Sequence, residues 1–380
     1  MSREVNKSTC PIFRVHYRSC HVFEYVDKSF LSEVAQTIRN RRLEIEPQGI
    51  DILANAFVFF IQKAGFIRGG EQLINYLLGQ TREKVRGFSP YELINVFRAL
   101  YFVGSNDREL IYSLSDACWD LRNQFSQRDL IMLAHCQAAL GYRNCDLLCY
   151  IADQLQNDIS KLDNRDLADI LWTFVRLRLE DHKVVDQVIQ ELVKRDDLSD
   201  ELMIRIAFSL AIMQQDDNAR GYLDRVLGHE NPTLTDPAKR KCNILCTLLY
   251  QNFPCRYISS GRQTTISFTQ QRVFEELTKI YSDYSFRSEY QVGTYFIDIA
   301  LIKEKIAIEV NGPWHYTFSQ DTQENFLLGD SQIKERFLKK LGWQVIVIDF
   351  DEWNNATRKE REILLKRKVG LRLMALKWGS

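Results

Sequence analysis

Several features that often reveal a protein's function are absent from this sequence of 380 residues. No run approaches the roughly eighteen apolar residues that a membrane-spanning helix needs. A Gly-rich phosphate loop, an HExxH zinc motif and a nucleophile elbow are missing too. We therefore expect no membrane partner, and no small-molecule substrate is evident.

An excess of charge of either sign is also lacking, because 50 Lys and Arg balance 50 Asp and Glu. A free-standing protein that binds nucleic acid is usually basic overall. Any surface that binds a polyanion must therefore be a local patch, or the protein must be held mainly by protein partners.

Cysteines are present, nine in all, but they form no compact framework. Cys145/Cys149 and Cys242/Cys246 have helical spacing, yet no third zinc ligand lies near either pair in the sequence. We therefore expect reduced thiols inside the cell rather than disulfides or a zinc site.

A helical repeat occupies residues 30–227, where apolar residues recur at helical spacing. Similar segments begin at Phe88, Phe125, Leu162 and Leu198, so the period is 36 or 37 residues. Each begins with an apolar residue, a Ser or Asp suited to cap a helix, and an acidic first turn. An earlier copy begins near Ile45. This period predicts an α-solenoid of helix pairs.

Composition divides the rest of the chain. Residues 1–29 are rich in basic and hydroxyl residues, which is typical of either an organellar transit peptide or a docked tail. Residues 228–263 hold prolines and polar residues, which predict an end cap and a linker. Residues 264–380 then form a separate domain, opened by a helix over Gln270–Tyr281. On that helix Glu275 or Glu276 is either a further acid of a site or surface charge.

The last domain shows strand patterns. Tyr295–Leu301 and Ile306–Val310 are rich in β-branched and aromatic residues and flank a polar turn, which predicts a hairpin. A helix over Ser331–Leu341 follows. Trp343–Ile348 is apolar nearly throughout, which predicts a strand buried on both faces. The predicted fold is thus mainly α, with a small C-terminal three-layer α/β domain.

Two carboxylates interrupt the hairpin. With the turn centred between Lys303 and Glu304, Asp298 and Glu309 lie opposite each other on one face. Burying like charges side by side is costly, so the pair needs a cation, a shared proton or a basic partner. The geometry resembles the metal site of the PD-(D/E)xK, or restriction-endonuclease-like, fold. The Lys that this fold places two residues after the Glu is replaced by Asn311.

Two segments, IDIALIKEKIAIEVNGPWHY from Ile297 and IKERFLKKLGWQVIVIDFDEW from Ile333, resemble a RAP domain. The residues that carry the resemblance are Asp298, Glu309, Gly312, Pro313, His315, Lys334, Leu338, Gly342, Trp343 and Trp353. The resemblance covers about the last quarter of the chain. The preceding repeats resemble the heptatricopeptide-type arrays of organellar RAP proteins, and the family is regarded as related to very-short-patch-repair endonucleases.

The resemblance implies RNA as the ligand. In the family Lys334 points toward the carboxylate pair, aromatic side chains can stack on unpaired bases, and cations can contact phosphates. The candidate RNA-binding residues are Trp314, His315, Lys334, Arg336, Lys339, Lys340, Arg367 and Lys368. The alternative for the loop is that Trp314 and Tyr316 pack it onto the sheet.

The implied function is binding, stabilising or positioning an RNA in mitochondria or another organelle, within a ribonucleoprotein such as the mitochondrial ribosome. A first alternative is an endonuclease with Asp298, Glu309 and Lys334 as catalytic residues and a divalent metal held by the two carboxylates. Without that activity we expect no cofactor. A second alternative is a protein scaffold without RNA contact.

Overall fold

A computed structural model describes residues 28–64, 69–105, 107–250, 266–320 and 325–378. Residues 1–27 of the predicted N-terminal tail (1–29) and residues 251–263 of the predicted cap and linker (228–263) lie outside the described residues. The chain divides into two compact units, Met1–Leu155 and Gln156–Ser380. The domain boundaries inferred from composition stay predictions.

The described part of the first unit is helical. Its helices are α1 (Lys28–Asn40), α2 (Pro47–Ala64), α3 (Gly70–Lys84), α4 (Pro90–Phe102), α5 (Arg108–Asp120), α6 (Gln127–Leu140) and α7 (Cys145–Leu155). The first helices of successive repeats lie against each other, because α4 contacts both α2 and α6. Each therefore buries its apolar stripe against a neighbouring repeat.

The second unit begins with further helices and ends in a domain built on a sheet. Its helices are α8 (Asn164–Arg176), α9 (Lys183–Val193), α10 (Asp200–Ile212), α11 (Asp216–Gly228), α12 (Asp236–Leu249), α13 (Phe268–Ile280), α14 (Gly329–Lys340), α15 (Phe350–Asn355), α16 (Arg358–Leu365) and α17 (Leu371–Trp378). In this unit α10 contacts both α8 and α12. The prediction of a mainly helical chain followed by a small α/β domain is confirmed.

Caps set the start of each repeat where the sequence indicates it. Ser89 and Ser126 form capping boxes with the acidic residue three positions later. Asp163 accepts a hydrogen bond from the amide of Asp166 at 2.7 Å. Ser199 accepts one from the amide of Leu202 at 3.4 Å. The repeating Ser or Asp is therefore a structural signal that satisfies amides of the first helical turn.

The sheet has four strands in the order β1 (Phe286–Val292), β2 (Tyr295–Leu301), β3 (Ile306–Asn311) and β4 (Gln344–Asp349). The first three are antiparallel, and β4 is parallel to β3. The β2–β3 hairpin is confirmed, since Ile299 pairs with Ile308 in the predicted register. Strand β1 was not predicted, because its sequence, FRSEYQV, is mostly polar and it lies at the edge of the sheet.

The prediction that the strand over Trp343–Ile348 is buried on both faces is wrong. In β4 only Ile346 and Ile348 are buried, and they alternate with half-buried residues. Strand β4 pairs with β3 alone, so it is an edge strand. The strand buried at every position is β3, which lies between two neighbours.

Helices cover both faces of the sheet. One face packs against α13, α16 and α17, in a core that includes Val273, Ile308, Ile346, Trp353 and Leu365. Helix α14 contacts β4 on the other face. Within the described ranges, no helix combines the length and the hydropathy needed to cross a membrane.

Helix α14 also lies against the repeats of its own unit, where it contacts α8, α10 and α12. At its first residue, Gly329, an added Cβ would meet Ile212 Cγ2 at 3.0 Å. Asp330 pairs with Arg176. The same helix is thus packed between the repeats and the sheet.

Candidate functional site

Asp298 and Glu309 occupy neighbouring positions on the two central strands. The register pairs Ile299 with Ile308, so Asp298 and Glu309 are the next positions outward. Because Ile299 and Ile308 point into the core with α13, the two carboxylates point to the face that α14 covers. The predicted cross-strand neighbours are thus brought together.

The central strands diverge where these carboxylates lie. Strand β2 continues along β1 to Tyr295, and β3 continues along β4 to Asn311, whereas the β2–β3 pairing ends at Ile299. Beyond that point the Oδ2 atom of Asp298 accepts the amide hydrogen of Val310 at 2.7 Å. The Asp298 carboxylate therefore takes the place of a backbone carbonyl of β2 as the partner of the Val310 amide, and a cleft opens between the two strands.

Lys334 lies where the family resemblance implies. Helix α14 directs its ammonium group to Glu309 Oε2, with which it forms an ion pair. Glu309 Oε1 is buried and has no hydrogen-bond partner among the described residues. The basic partner expected for the carboxylate pair is therefore Lys334, and its charge is directed inward rather than to solvent.

Burial raises the pKa of both carboxyl groups. Desolvation raises the pKa of Glu309 to about 7; the charge of Lys334 opposes this shift and that of Asp298 adds to it. Desolvation also raises the pKa of Asp298, against the charge of Lys334 and the amide of Val310. Even with a cationic partner, the loss of hydration outweighs the attraction at this position.

In the loop after β3, Trp314 and Tyr316 have different environments. The sequence left open whether these rings bind a base or pack the loop onto the sheet. Trp314, in the 3-10 turn Pro313–His315, has 46% of its surface exposed. Tyr316 is half-buried and forms a β-bridge with Leu327. Tyr316 therefore holds the loop, while the Trp314 ring is available to a ligand.

His315 is held as a neutral side chain. Its Nδ1 atom lies 3.0 Å from Ser331 Oγ at the start of α14. Burial lowers the pKa of His315 to about 4, and the nearby charge of Lys334 acts in the same direction. At neutral pH the imidazole therefore carries no charge with which to attract a phosphate.

The cleft has a volume of about 480 Å³. Its lining includes Asp298, Trp314, His315 and Lys334, and also Phe296, Phe350, Ser267, Thr269, Gln270 and Glu289. The walls thus combine apolar rings with groups that accept or donate hydrogen bonds. This is the usual composition of a ligand site.

Two residues of this cleft were missed from the sequence. Gln270 of α13 donates hydrogen bonds to Glu289 Oε1 and, at 3.3 Å, to the carbonyl oxygen of Asp298. Glu289 lies on the strand that was not predicted and has a left-handed φ of 53°. The alternation of polar residues in FRSEYQV was the available signal for that strand.

Glu275 and Glu276, the alternative acids on α13, do not line this cleft. Glu275 accepts a hydrogen bond from Gln271 at 2.9 Å, and Glu276 lies 3.5 Å from the ammonium group of Lys279. Both are surface charges, which was the other interpretation of the sequence.

Most of the candidate phosphate-binding cations have internal partners. Arg336 donates to the carbonyl of Ala211 at 2.7 Å and pairs with Asp216. The remaining pairs are Lys339 with Glu335, and Arg367 and Lys368 with Glu352. Lys340 is exposed. RNA contact by these residues stays a prediction. Glu352 offsets only one of the two charges of Arg367 and Lys368, so one positive charge remains there besides that of Lys340.

The predicted ligands of a divalent metal at this site are the carboxylates of Asp298 and Glu309. Within the described ranges, no group of three or more His, Cys, Asp and Glu side chains is placed to hold a metal ion. Asp298 and Glu309 supply two carboxylates, of which one is already paired with Lys334. Cys145, Cys149, Cys242 and Cys246 form no disulfide within the described residues. Catalysis by Asp298, Glu309 and Lys334 stays a prediction.

Comparison with known proteins finds a family match that covers part of this site. Residues 308–368 match the family model of the RAP domain, so the chain contains a RAP domain. It is 27% identical over 86 residues to a chloroplastic RAP domain-containing protein of Oryza sativa subsp. japonica. That match covers 23% of this chain and 13% of the relative. The likeness is therefore confined to a small part of the rice protein.

Proposed function

We propose that this protein binds RNA in an organelle and that the cleft beside Asp298 receives an unpaired base. The observation that carries the proposal is the cleft itself, part of which lies within the residues that match the RAP domain. RNA is recognised in sequence-specific fashion mainly at unpaired bases, which stack on aromatic rings and form hydrogen bonds through their edges. The half-exposed Trp314 supplies such a ring.

The charge of the cleft favours a base over a phosphate. Asp298 and Glu289 line it, His315 is neutral, and the ammonium group of Lys334 is paired with Glu309. A phosphate would be repelled by this set. Carboxylate oxygens instead accept hydrogen bonds from the amino groups of bases, as in the pairing of Asp or Glu with the amino group of cytosine.

The organellar part of the proposal draws on the relative and on the sequence. The rice protein is described as chloroplastic, and the first residues of this chain are rich in basic and hydroxyl groups. We propose mitochondria as the location and a ribonucleoprotein, such as the mitochondrial ribosome, as the assembly. A formal net charge of zero supports a subunit held partly by proteins over a solitary RNA-binding factor.

RNA cleavage is the second candidate, because the structure brings Asp298, Glu309 and Lys334 to one place. A divalent ion between the carboxylates would activate water and polarise a phosphate. Metal-dependent cleavage of RNA by the purified protein, abolished in Asp298→Asn, would support it. Cleavage that is equal in both proteins would come from a contaminant.

The test of RNA binding is crosslinking in cells, followed by sequencing of the RNA recovered with the tagged protein. Trp314→Ala is compared with Leu371→Ala, which removes an exposed apolar side chain of α17 outside the cleft lining. We expect one enriched RNA that is lost in Trp314→Ala and retained in Leu371→Ala. If no RNA is enriched while protein partners co-purify, the protein is a scaffold and the proposal fails.

A further inference from the structure

A second concave surface lies on the exposed side of α13, away from the core that this helix forms with the sheet. It is a groove of about 310 Å³ between α13 and the start of α16. Its lining consists of Arg272, Glu276, Lys279, Arg358 and Arg361. Four cations and one carboxylate thus meet in one place, in a chain whose formal net charge is zero. We call this surface the α13–α16 groove.

Most of the positive charge in the α13–α16 groove is not neutralised. Among the described residues, neither Arg272 nor Arg358 has a carboxylate within ion-pair distance; Arg272 lies over the ring of Phe268, 5.6 Å from its centre. Lys279 lies 3.5 Å from Glu276. The groove therefore retains an excess of cationic charge that faces solvent.

Arg361 is held in place without losing its charge. Its Nε atom donates to the carbonyl of Trp353 at 2.8 Å, and Nη2 donates to the carbonyl of Asn354 at 3.4 Å. The guanidinium also stacks on the Trp353 ring, at 5.2 Å from its centre. Carbonyl groups orient a guanidinium but do not neutralise it, so little side-chain entropy is lost when an anion binds.

Most of the cations that the sequence predicted to bind phosphates differ from those of the groove, because they have carboxylate partners. Arg336 pairs with Asp216, and Arg367 and Lys368 both pair with Glu352. A phosphate would have to compete with those carboxylates. The α13–α16 groove offers cations for which the described carboxylates compete far less.

The α13–α16 groove and the cleft are connected along one helix. Phe268, Arg272 and Lys279 follow each other at helical spacing on the exposed side of α13, and 77% of the Phe268 surface is exposed. Ser267, Thr269 and Gln270, at the start of the same helix, line the cleft. The path from the groove to the cleft thus passes an exposed aromatic ring on which a base can stack.

We propose that the α13–α16 groove binds the phosphates of a single-stranded RNA whose unpaired base occupies the cleft. This inference rests on the proposed function and adds the surface that supplies the electrostatic part of the affinity. Basic grooves with stacking aromatic side chains are the common means of holding single strands. An acidic protein segment would use the cations but not the adjoining cleft and ring, so RNA fits the whole surface better.

The test uses the full chain and a fluorescent single-stranded RNA of mixed sequence, with affinity measured by anisotropy over a range of salt concentrations. The groove variant is Arg272→Gln/Arg358→Gln. The matched control is Lys161→Gln/Lys194→Gln, which removes the same charge from exposed cations that pair with Asp158 and Glu191, outside the groove. Thermal unfolding of all three proteins checks that both variants fold.

Log affinity decreases linearly with log salt concentration. We expect this decrease to be shallower in the groove variant, with the magnitude of the slope smaller by about 1.4, or about 0.7 for each lost phosphate contact. That change corresponds to roughly 25-fold weaker binding at 0.1 M salt, with the difference vanishing near 1 M. The control variant should retain the slope and the affinity of the unmodified protein.

Three other results would overturn the inference, and they are distinguishable. If the groove variant binds RNA with an unchanged slope, the phosphates lie elsewhere while the proposed function stands. If the unmodified protein binds no RNA, the proposed function and the groove assignment fail together. If poly-glutamate of matched charge binds as tightly as RNA and depends equally on Arg272 and Arg358, the groove is a surface for acidic protein segments.

Discussion

Lys334 of α14 and Glu309 of β3 form an ion pair that is largely removed from solvent, with side-chain exposures of 18% and 7%. The pair ties the sheet to α14, which also lies against the repeats. On that helix Arg336 donates to the carbonyl of Ala211 at 2.7 Å. A change at Lys334 therefore acts on the cleft and on the stability of the domain at once.

The first prediction concerns the removal of Lys334. Above pH 7, where Glu309 is ionised, we expect Lys334→Met to lower the free energy of unfolding by about 3 kcal/mol, because the carboxylate would remain buried without a cation. Lys339→Met is the control, since it removes an exposed partner of Glu335 and should change stability by less than about 0.5 kcal/mol. Urea unfolding measures both.

A double variant separates charge burial from packing in that experiment. Lys334→Met/Glu309→Leu removes both charges, so we expect it to regain most of the lost stability. A double variant no more stable than Lys334→Met would show that the lost methylene packing or the altered cleft, rather than the unpaired carboxylate, causes the effect.

The second prediction is a pH dependence of stability that arises from Glu309. The pKa of this carboxyl is raised by burial from 4.5 to about 7. Between these values the folded protein keeps a proton that the unfolded chain releases. Its contribution to stability is therefore full below about pH 4.5 and falls as pH rises to about 7.

The comparison of unmodified protein with Glu309→Gln isolates this contribution. Relative to the unmodified protein, the variant should gain on the order of 3 kcal/mol of stability between pH 4.5 and pH 7. Urea unfolding at several pH values provides the measurement. A stability difference that stays constant over this range would contradict the raised pKa.

The third prediction is that His315 does not act as a cation toward RNA. Burial lowers the pKa of His315 to about 4, so the imidazole stays neutral at pH 5.5. We expect the ratio of RNA affinities of the unmodified protein and His315→Gln to change by less than about twofold between pH 5.5 and 7.5. A ratio that rises steeply as pH falls would show a protonated His315 at the phosphate.

The fourth prediction concerns the turn between β1 and β2. Gly293 has a φ of 58°, and an added Cβ would lie 2.8 Å from Cζ of Phe337. The Phe337 ring is held by Tyr295, at 5.2 Å between ring centres. We expect Gly293→Ala to cost about 2 kcal/mol of stability, from backbone strain and from the displaced ring.

Gly104→Ala is the matched control for that change. Gly104 has a similar φ of 61°, and no atom lies within 4 Å of its added Cβ. Its cost should be the backbone strain alone, about 1 kcal/mol. Equal losses in the two variants, measured by urea unfolding, would show that Phe337 moves aside freely.

Local sequence patterns predicted much of this fold. The caps at Ser126 and Ser199 and the β2–β3 register follow from local residue types, because helix starts and hairpins are decided within a few residues. Strand β1 was missed, because the alternation in the mostly polar segment FRSEYQV is a weak signal, and it is the pairing with β2 at the sheet edge that makes the segment a strand. Burial of β4 was misjudged for a similar reason, since the number of neighbours is a property of the sheet.

For the candidate site too, some features follow from the sequence and others from the tertiary structure. The sequence by itself determined that Asp298 and Glu309 are neighbours, and resemblance to the RAP domain directed Lys334 to them. Only the tertiary structure decided which cations keep their charge: Arg336 meets Asp216 across 120 residues of chain, whereas Arg272 meets no carboxylate among the described residues. Electrostatic pairing depends on distance in space, which the order of residues along the chain does not specify.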